Sequence, residues 1–260
     1  SLIEAIVLGI VQGLTEFLPV SSSGHLEIGK VLLGADVETS LTFTVVVHGA
    51  TVLSTIVVFY SEIVKILRES LSFKMNDSTR YVLKILLSMV PVLFVGVFLD
   101  QQVEGFFDGN LRFVGSMLLI TAGLLAFTHF YKRKLTKKIP FFFFFVIGIA
   151  QALAVLPGIS RSGATISTGL ILGNEKKEVA KFSFLMVLIP IIGANVLDIL
   201  KTDQLGSASL GSGVLIAGFM AAFLSGLFAC RWMINIVKRG KLSYFAAYCA
   251  IVGIVAIIFA

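Results

Sequence analysis

Ser21, Ser22, Ser23 and His25 close an otherwise oily stretch, Gly9 to Gly24 (GIVQGLTEFLPVSSSG), which also carries Gln12 and Glu16. Hydroxyl, imidazole and carboxylate at this spacing supply a nucleophile, a base and a charge holder, the parts of covalent catalysis. A second stretch, Gly148 to Gly163 (GIAQALAVLPGISRSG), aligns with the first without a gap. Gly9, Ile10, Gln12, Leu14, Ser21, Ser23 and Gly24 pair with Gly148, Ile149, Gln151, Leu153, Ser160, Ser162 and Gly163. The chain therefore contains one device twice. Where the first copy has Ser22 the second has Arg161, whose planar fork of donors suits a phosphate.

The turns SSSGH and SRSG each run into the start of a helix, where free N–H groups and the helix dipole attract anions. Ser21, Ser23 and Gly24 on one side, and Ser160, Ser162, Gly163 and Thr165 on the other, are the expected anion-binding groups. Serines alone would serve as helix caps. Repetition of the motif with a single arginine points beyond capping to a site. Gln12 and Glu16 stand four residues apart and share one helix face leading into the first turn. A carboxylate at membrane depth needs a cation, and Arg161, a divalent metal or a proton can serve. His25, three residues after Ser22, is placed to reach back to that hydroxyl as general base. His48, in VVVHGAT, is a candidate to line the same pocket, whereas His129, beside Tyr131 and Lys132, reads as interfacial.

The elements that must position these groups lie in a membrane. With 260 residues, 57% hydrophobic and 14% charged, and a mean hydropathy of +0.98, the chain is far from a soluble domain, in which about 25% of residues are charged. The net charge of +6 sits in short clusters between apolar segments, which the positive-inside rule explains without nucleic acid. Cys230 and Cys249 fall in apolar runs with neither disulfide-framework nor zinc spacing. Residues 2–20 lack the basic flank of a signal peptide and are interrupted by Glu4 and Glu16, so they read as part of the fold.

Six segments, about 41–60, 81–99, 111–131, 180–200, 212–232 and 242–260, are expected to span a bilayer. Two further regions, 2–34 and 139–173, are broken near the middle by Pro, Gly and Ser. Each reads as a re-entrant hairpin, whose non-helical tip is tolerated at depth only when protein or a wet cavity surrounds it. If 139–173 is re-entrant, Lys and Arg in the loops divide with 16 on one side and three on the other, whereas a full crossing there makes the split ten to nine. Charge thus favours re-entry. The expected fold is an all-α polytopic membrane protein, six transmembrane helices plus two re-entrant helix hairpins, about ten helices in two inverted repeats. It forms a single membrane domain, with repeat one over about 1–133 and repeat two over about 139–260, the two broken helices meeting near the midplane. The acidic loop 100–110 (Asp100, Glu104, Asp108) would face outside and KRKLTKK (132–138) the cytoplasm. Phe141 to Phe145 reads as lipid-facing or packing bulk.

At QGLTEFLPVSSSGH and LPGISRSGATIS the sequence resembles the bacterial undecaprenyl-diphosphate phosphatases of the bacitracin-resistance type. The resemblance implies hydrolysis of the C55 isoprenyl pyrophosphate to the monophosphate and phosphate, recycling the lipid carrier of peptidoglycan synthesis in the bacterial plasma membrane. It also implies a divalent cation, Mg²⁺ or Ca²⁺, held by Glu16 and Gln12, with Ser22 attacking, His25 assisting and Arg161 binding the pyrophosphate. Some family members have glutamate where this chain has Gln12, a weaker ligand. The partners implied are a polyprenyl pyrophosphate lipid and the bilayer, with a homodimer allowed for and no nucleic acid. A transporter or flippase is the main rival, because inverted broken-helix repeats also build transporters; a structural scaffold leaves the buried polar set unused. Glu16, Ser22 and His25 all lie on the hairpin expected to enter from outside, which points to a pocket open to the periplasm.

Overall fold

The computed structural model describes residues 1–33, 41–72, 74–106, 109–131, 140–201 and 211–260, and among them there are thirteen helices and no strand. In chain order these are α1 (Leu2–Phe17), α2 (Ser22–Leu33), α3 (Leu41–Val58), α4 (Tyr60–Ser70), α5 (Asp77–Phe98), α6 (Asp100–Glu104) and α7 (Leu111–Phe130). They continue as α8 (Phe142–Leu153), α9 (Arg161–Ile171), α10 (Lys176–Met186), α11 (Leu188–Lys201), α12 (Ser212–Arg239) and α13 (Ser243–Ile258). The basic run 132–138 and Asp108 lie outside the described residues, as do the side chains of Asp100 and Glu104.

Four stretches are long and apolar enough to cross a membrane: Asp77–Phe98, Leu111–Phe130, Lys176–Val196 and Ser212–Arg239. A fifth counts if Thr42–Val58 and Tyr60–Ser70, bent by 77° at their junction, are taken as one. The boundaries differ from those expected of six spans. The segment expected at 242–260 is a helix of 16 residues, about 24 Å at 1.5 Å per residue and short of the ~30 Å hydrocarbon thickness. Gly240, left-handed at φ 68, ends α12, and the chain turns at once into α13. The loops expected at 61–80, 174–181 and 231–241 are largely helical. Lys and Arg are good helix formers, so basic residues mark the membrane edge without ending the helix. Helix α4 has no buried residue, and Tyr60, Val64, Leu67 and Leu71 stand exposed along it.

Both broken regions break at proline. Leu18 precedes Pro19 and takes an extended backbone, ending α1; Pro157 and Gly158, the latter at φ 97, separate α8 from α9. At 12 and 11 residues, α8 and α9 reach only about 18 Å and 16 Å, and neither crosses alone.

Without a hydrophobic drive between helices in lipid, close packing must come from small residues that let backbones touch. Gly9 and Gly13 of α1 lie on Gly218, Ala222 and Gly226 of α12, and a Cβ on Gly9 would stand 2.5 Å from the Gly218 carbonyl oxygen. Helices α7 and α13 meet in the same way at Gly115 and Gly253. Ser54 of α3 donates to the Phe223 carbonyl of α12 at 2.8 Å. The larger buried apolar core, including Phe17, Val20, Val114, Leu118, Ile166 and Phe184, surrounds the two breaks.

Gly13→Leu is expected to lower the melting temperature of the protein in detergent, because overpacking a close backbone contact costs about 1–3 kcal/mol. Gly123→Leu, where a side chain would meet nothing within 4 Å, is the control and should leave the melt unchanged.

Candidate functional site

Ser21 joins the two breaks. Its backbone is left-handed, φ 68, a strained state for a non-glycine residue. Its side chain makes that conformation useful: Oγ accepts the N–H of Gly24 at 3.2 Å and, across the interface, the N–H of Gly158 at 3.1 Å. Gly24 carries no side chain because a Cβ there would stand 2.9 Å from Gly158 Cα. The second tip repeats the bonding. Ser160 Oγ accepts the Gly163 N–H at 3.1 Å, and the Ser160–Ser162 hydroxyl pair, 3.3 Å apart, matches Ser21–Ser23 at 3.3 Å. Ser162 Oγ donates to the Leu18 carbonyl at 3.1 Å, and Thr121 of α7 clamps the second tip by donating to Gly158 O and accepting from Ser160 N.

The charged groups meet beside this junction. Glu16, at the end of α1, has 8% of its side chain exposed. Its Oε2 accepts from Gln12 Nε2 at 3.0 Å and from Ser22 Oγ at 2.8 Å, while Oε1 lies 3.5 Å from Arg161 Nη2 at the start of α9. Arg161 keeps 32% of its side chain open. A buried carboxylate is tolerable only with a counter-charge and hydrogen bonds, and here both breaks contribute. Gln12 is fully buried and its Oε1 has no partner.

The histidines depart from expectation. His25 does not bond Ser22. Its Nδ1 faces the Ser21 carbonyl at 2.8 Å and its Nε2 faces the Tyr248 hydroxyl of α13 at 2.8 Å. Helical side chains lean toward the N-terminus, which carries the ring back to the carbonyl four residues earlier, past the hydroxyl three residues earlier. Ser22 turns to Glu16 instead. His48 bonds the Thr44 carbonyl at 3.0 Å and is within electrostatic reach of Glu16, but it does not line the cleft.

That cleft, narrow and open at its mouth, has Glu16, Arg161 and Ser162 at its polar end and Phe17, Val52, Phe184, Val187, Leu188 and Ile191 along its walls. Thr51, Thr55 and Ser183 complete the lining, and Ser183 bonds Thr165 at 2.6 Å. Sequence spacing did not single out these three or Tyr248. Hydroxyls inside apolar helices (HGATVLST, FSF, AAYCA) are the signal that marks them.

For a cation, the Glu16 carboxylate, the unpartnered Gln12 Oε1 and the Ser22 hydroxyl are hard oxygen donors. They fit Mg²⁺ or Ca²⁺, which take oxygen ligands, Mg²⁺ in particular sharing one or two carboxylates with water and substrate phosphates. Among the described residues no three of His, Cys, Asp and Glu converge, and Gln12 turns its Nε2 to Glu16, so these donors alone do not make a closed cage.

A family model described as bacitracin resistance protein BacA matches residues 5–255. The undecaprenyl-diphosphatase of Bacteroides fragilis is 55% identical over 258 residues, covering 98% of this chain and 97% of its own. That of Parabacteroides distasonis is 56% identical, covering 98% and 96%. A more distant relative with the same name, from Salinibacter ruber, is 40% identical and covers 96% of each chain.

Ser21→Ala leaves two buried N–H groups without an acceptor and should cost about 2–4 kcal/mol, taking about 1–2 kcal/mol for each group. Ser21→Gly should cost less, since glycine takes the positive φ freely; thermal melts of the purified variants report both.

Proposed function

Because the chain belongs to the bacitracin resistance protein BacA family, we propose that it is a membrane hydrolase that dephosphorylates undecaprenyl pyrophosphate to undecaprenyl phosphate and phosphate. This activity recycles the lipid carrier of peptidoglycan synthesis. The observation that carries the reading is the string Ser22–Glu16–Arg161, held where two helix breaks meet, with Glu16 and Arg161 at one end of a cleft whose walls are mostly apolar. In chemical character, Arg161 suits an anionic head and the apolar walls suit a hydrocarbon tail. The transporter reading has no support among the relatives, whose names are those of a hydrolase. A carrier also has no use for a serine hydroxyl bonded to a buried carboxylate.

The residues divide the work as follows. Arg161 exchanges its contact with Glu16 for the terminal phosphate, which its fork of donors holds. Ser22 Oγ attacks the terminal phosphorus as its proton passes to Glu16 Oε2; the bridging P–O bond breaks and prenyl monophosphate leaves. Water then attacks the phosphoserine and gives its proton to His25 Nε2, phosphate departs, and Glu16 returns a proton to Ser22 Oγ. Ser21, Ser23, Gly24, Ser160, Ser162 and Gly163 shape and brace the phosphate site through bonds within and between the tips, and Thr165 ties the second tip's helix to Ser183 of α10. Glu16 and Gln12 would hold a divalent cation, which when bound supplies positive charge to the pyrophosphate oxygens.

The architecture that best accommodates this chemistry is two inverted repeats, over about 1–133 and 139–260, each a re-entrant hairpin with three spans. It is supported by the shortness of α8 and α9, by matching cap bonds at both tips and by the charge split. The site opens toward the periplasm, since Glu16, Ser22 and His25 lie on the hairpin that enters from that side.

In a phosphate-release assay with the purified protein, Arg161→Ala should lower the rate more than ~100-fold, the value of one preorganised donor, and Arg161→Lys should rescue poorly. Excess chelator should abolish turnover and added Mg²⁺ or Ca²⁺ restore it; near wild-type rates in Arg161→Ala would refute the site. In sealed right-side-out vesicles, phosphate from substrate in the outer leaflet should appear in the external medium. Its appearance only with inverted vesicles would refute the periplasmic opening.

A further inference from the structure

Tyr248 lies 223 residues from His25, on the last helix, yet its hydroxyl is 2.8 Å from His25 Nε2. The two rings stack, with centroids 5.6 Å apart and planes 7° from parallel. The next residue grips the other side of the same turn: Cys249 Sγ approaches the Pro19 carbonyl at 3.5 Å. Helix α13 therefore holds the first tip both before and after Ser21.

The tautomer of His25 follows from its partners. The Ser21 carbonyl can only accept, so Nδ1 carries the hydrogen. In the neutral ring Nε2 is then the lone-pair atom, and the Tyr248 hydroxyl donates to it. Free rotation about the side chain is removed by one bond at each nitrogen and a stacked ring. The basic atom thereby faces α13, while the Ser22 hydroxyl donates to Glu16.

We propose that Tyr248 is a positioning residue for the reaction: it fixes His25 as the Nδ1–H tautomer and keeps Nε2 as the lone-pair atom that takes the water's proton, leaving Ser22 to Glu16. This rests on the hydrolase reading of the site. In that step the water O–H bond breaks, its proton goes to Nε2, the new O–P bond forms and the bond to Ser22 Oγ breaks. Tyr248 neither gains nor loses a proton overall; it yields the lone pair when water arrives and recaptures it when the proton has left.

The experiment joins a spectroscopic and a kinetic arm on the full-length protein. With ¹⁵N-labelled imidazoles, and His25 assigned by its loss in His25→Ala, the neutral wild-type ring should show a protonated Nδ1 and a bare, hydrogen-bonded Nε2. In Tyr248→Phe, which keeps the stacking ring, the Nε2 resonance should shift while Nδ1 stays. Tyr248→Phe should lower kcat about tenfold, as loss of a histidine's orienting partner does, with KM within about twofold. Added to His25→Ala it should cost nothing more, because the two act as one unit. A protonated Nε2 in the wild type, an unmoved Nε2 resonance, or an additive loss in the double variant would overturn the role of Tyr248. Full activity in His25→Ala would instead overturn the reading of the site on which that role rests.

Discussion

A carboxylate buried in a membrane protein sets the terms for everything near it. Removing Glu16 from water costs several kcal/mol unless a counter-charge and hydrogen bonds replace the lost hydration. Gln12, one turn earlier, supplies one hydrogen bond, and Ser22, just beyond the break, supplies another. The charge comes from Arg161, in the other half of the chain. Bringing it within 3.5 Å requires the end of α1 and the start of α9 to face each other inside the protein, which leaves helix-end backbone in buried surroundings. The serine caps, the Gly158–Ser21 bond and the Thr121 clamp satisfy that backbone. The polar core of this protein is thus a chain of obligations that starts at one side chain.

The two tips show how far a repeated motif holds and where it yields. Ser21 and Ser160 accept equivalent N–H groups, but Ser21 is left-handed while in the second copy Gly158 takes the positive φ and Ser160 is extended. The buried glutamines diverge further. Gln12 serves Glu16; Gln151 is equally buried with neither amide atom bonded. At the place of Glu16 the second copy has Val155, so the amide has lost the group it would serve.

What could be read from the sequence was local. The breaks at Pro19 and Pro157, the caps at Ser21 and Ser160, and the shared face of Gln12 and Glu16 follow from neighbours within a few residues. Helix ends were less legible, because in lipid an apolar run has no wet face to give its period away. A run of hydropathy stops at the first charges, whereas α12 carries on through Arg231 and Lys238 until Gly240 turns it. The aim of His25 was not legible at all: it depends on Tyr248, which no spacing rule connects to it. Nor could the 77° bend after α3 be foreseen, since Phe59 and Tyr60 continue the apolar pattern.

That bend ties the cleft to the thickness of the membrane. Helix α3, 18 residues long, measures about 27 Å, slightly less than the ~30 Å of a typical hydrocarbon layer. With α4 turned aside by 77° and its apolar residues exposed, α3 is not continued by a collinear helix that could lengthen its span. Mismatch must then be met by tilting α3 or deforming the lipid around it. Thr51 and Thr55 ride on that helix and line the cleft, so any tilt of α3 that meets such a mismatch carries part of the cleft wall with it.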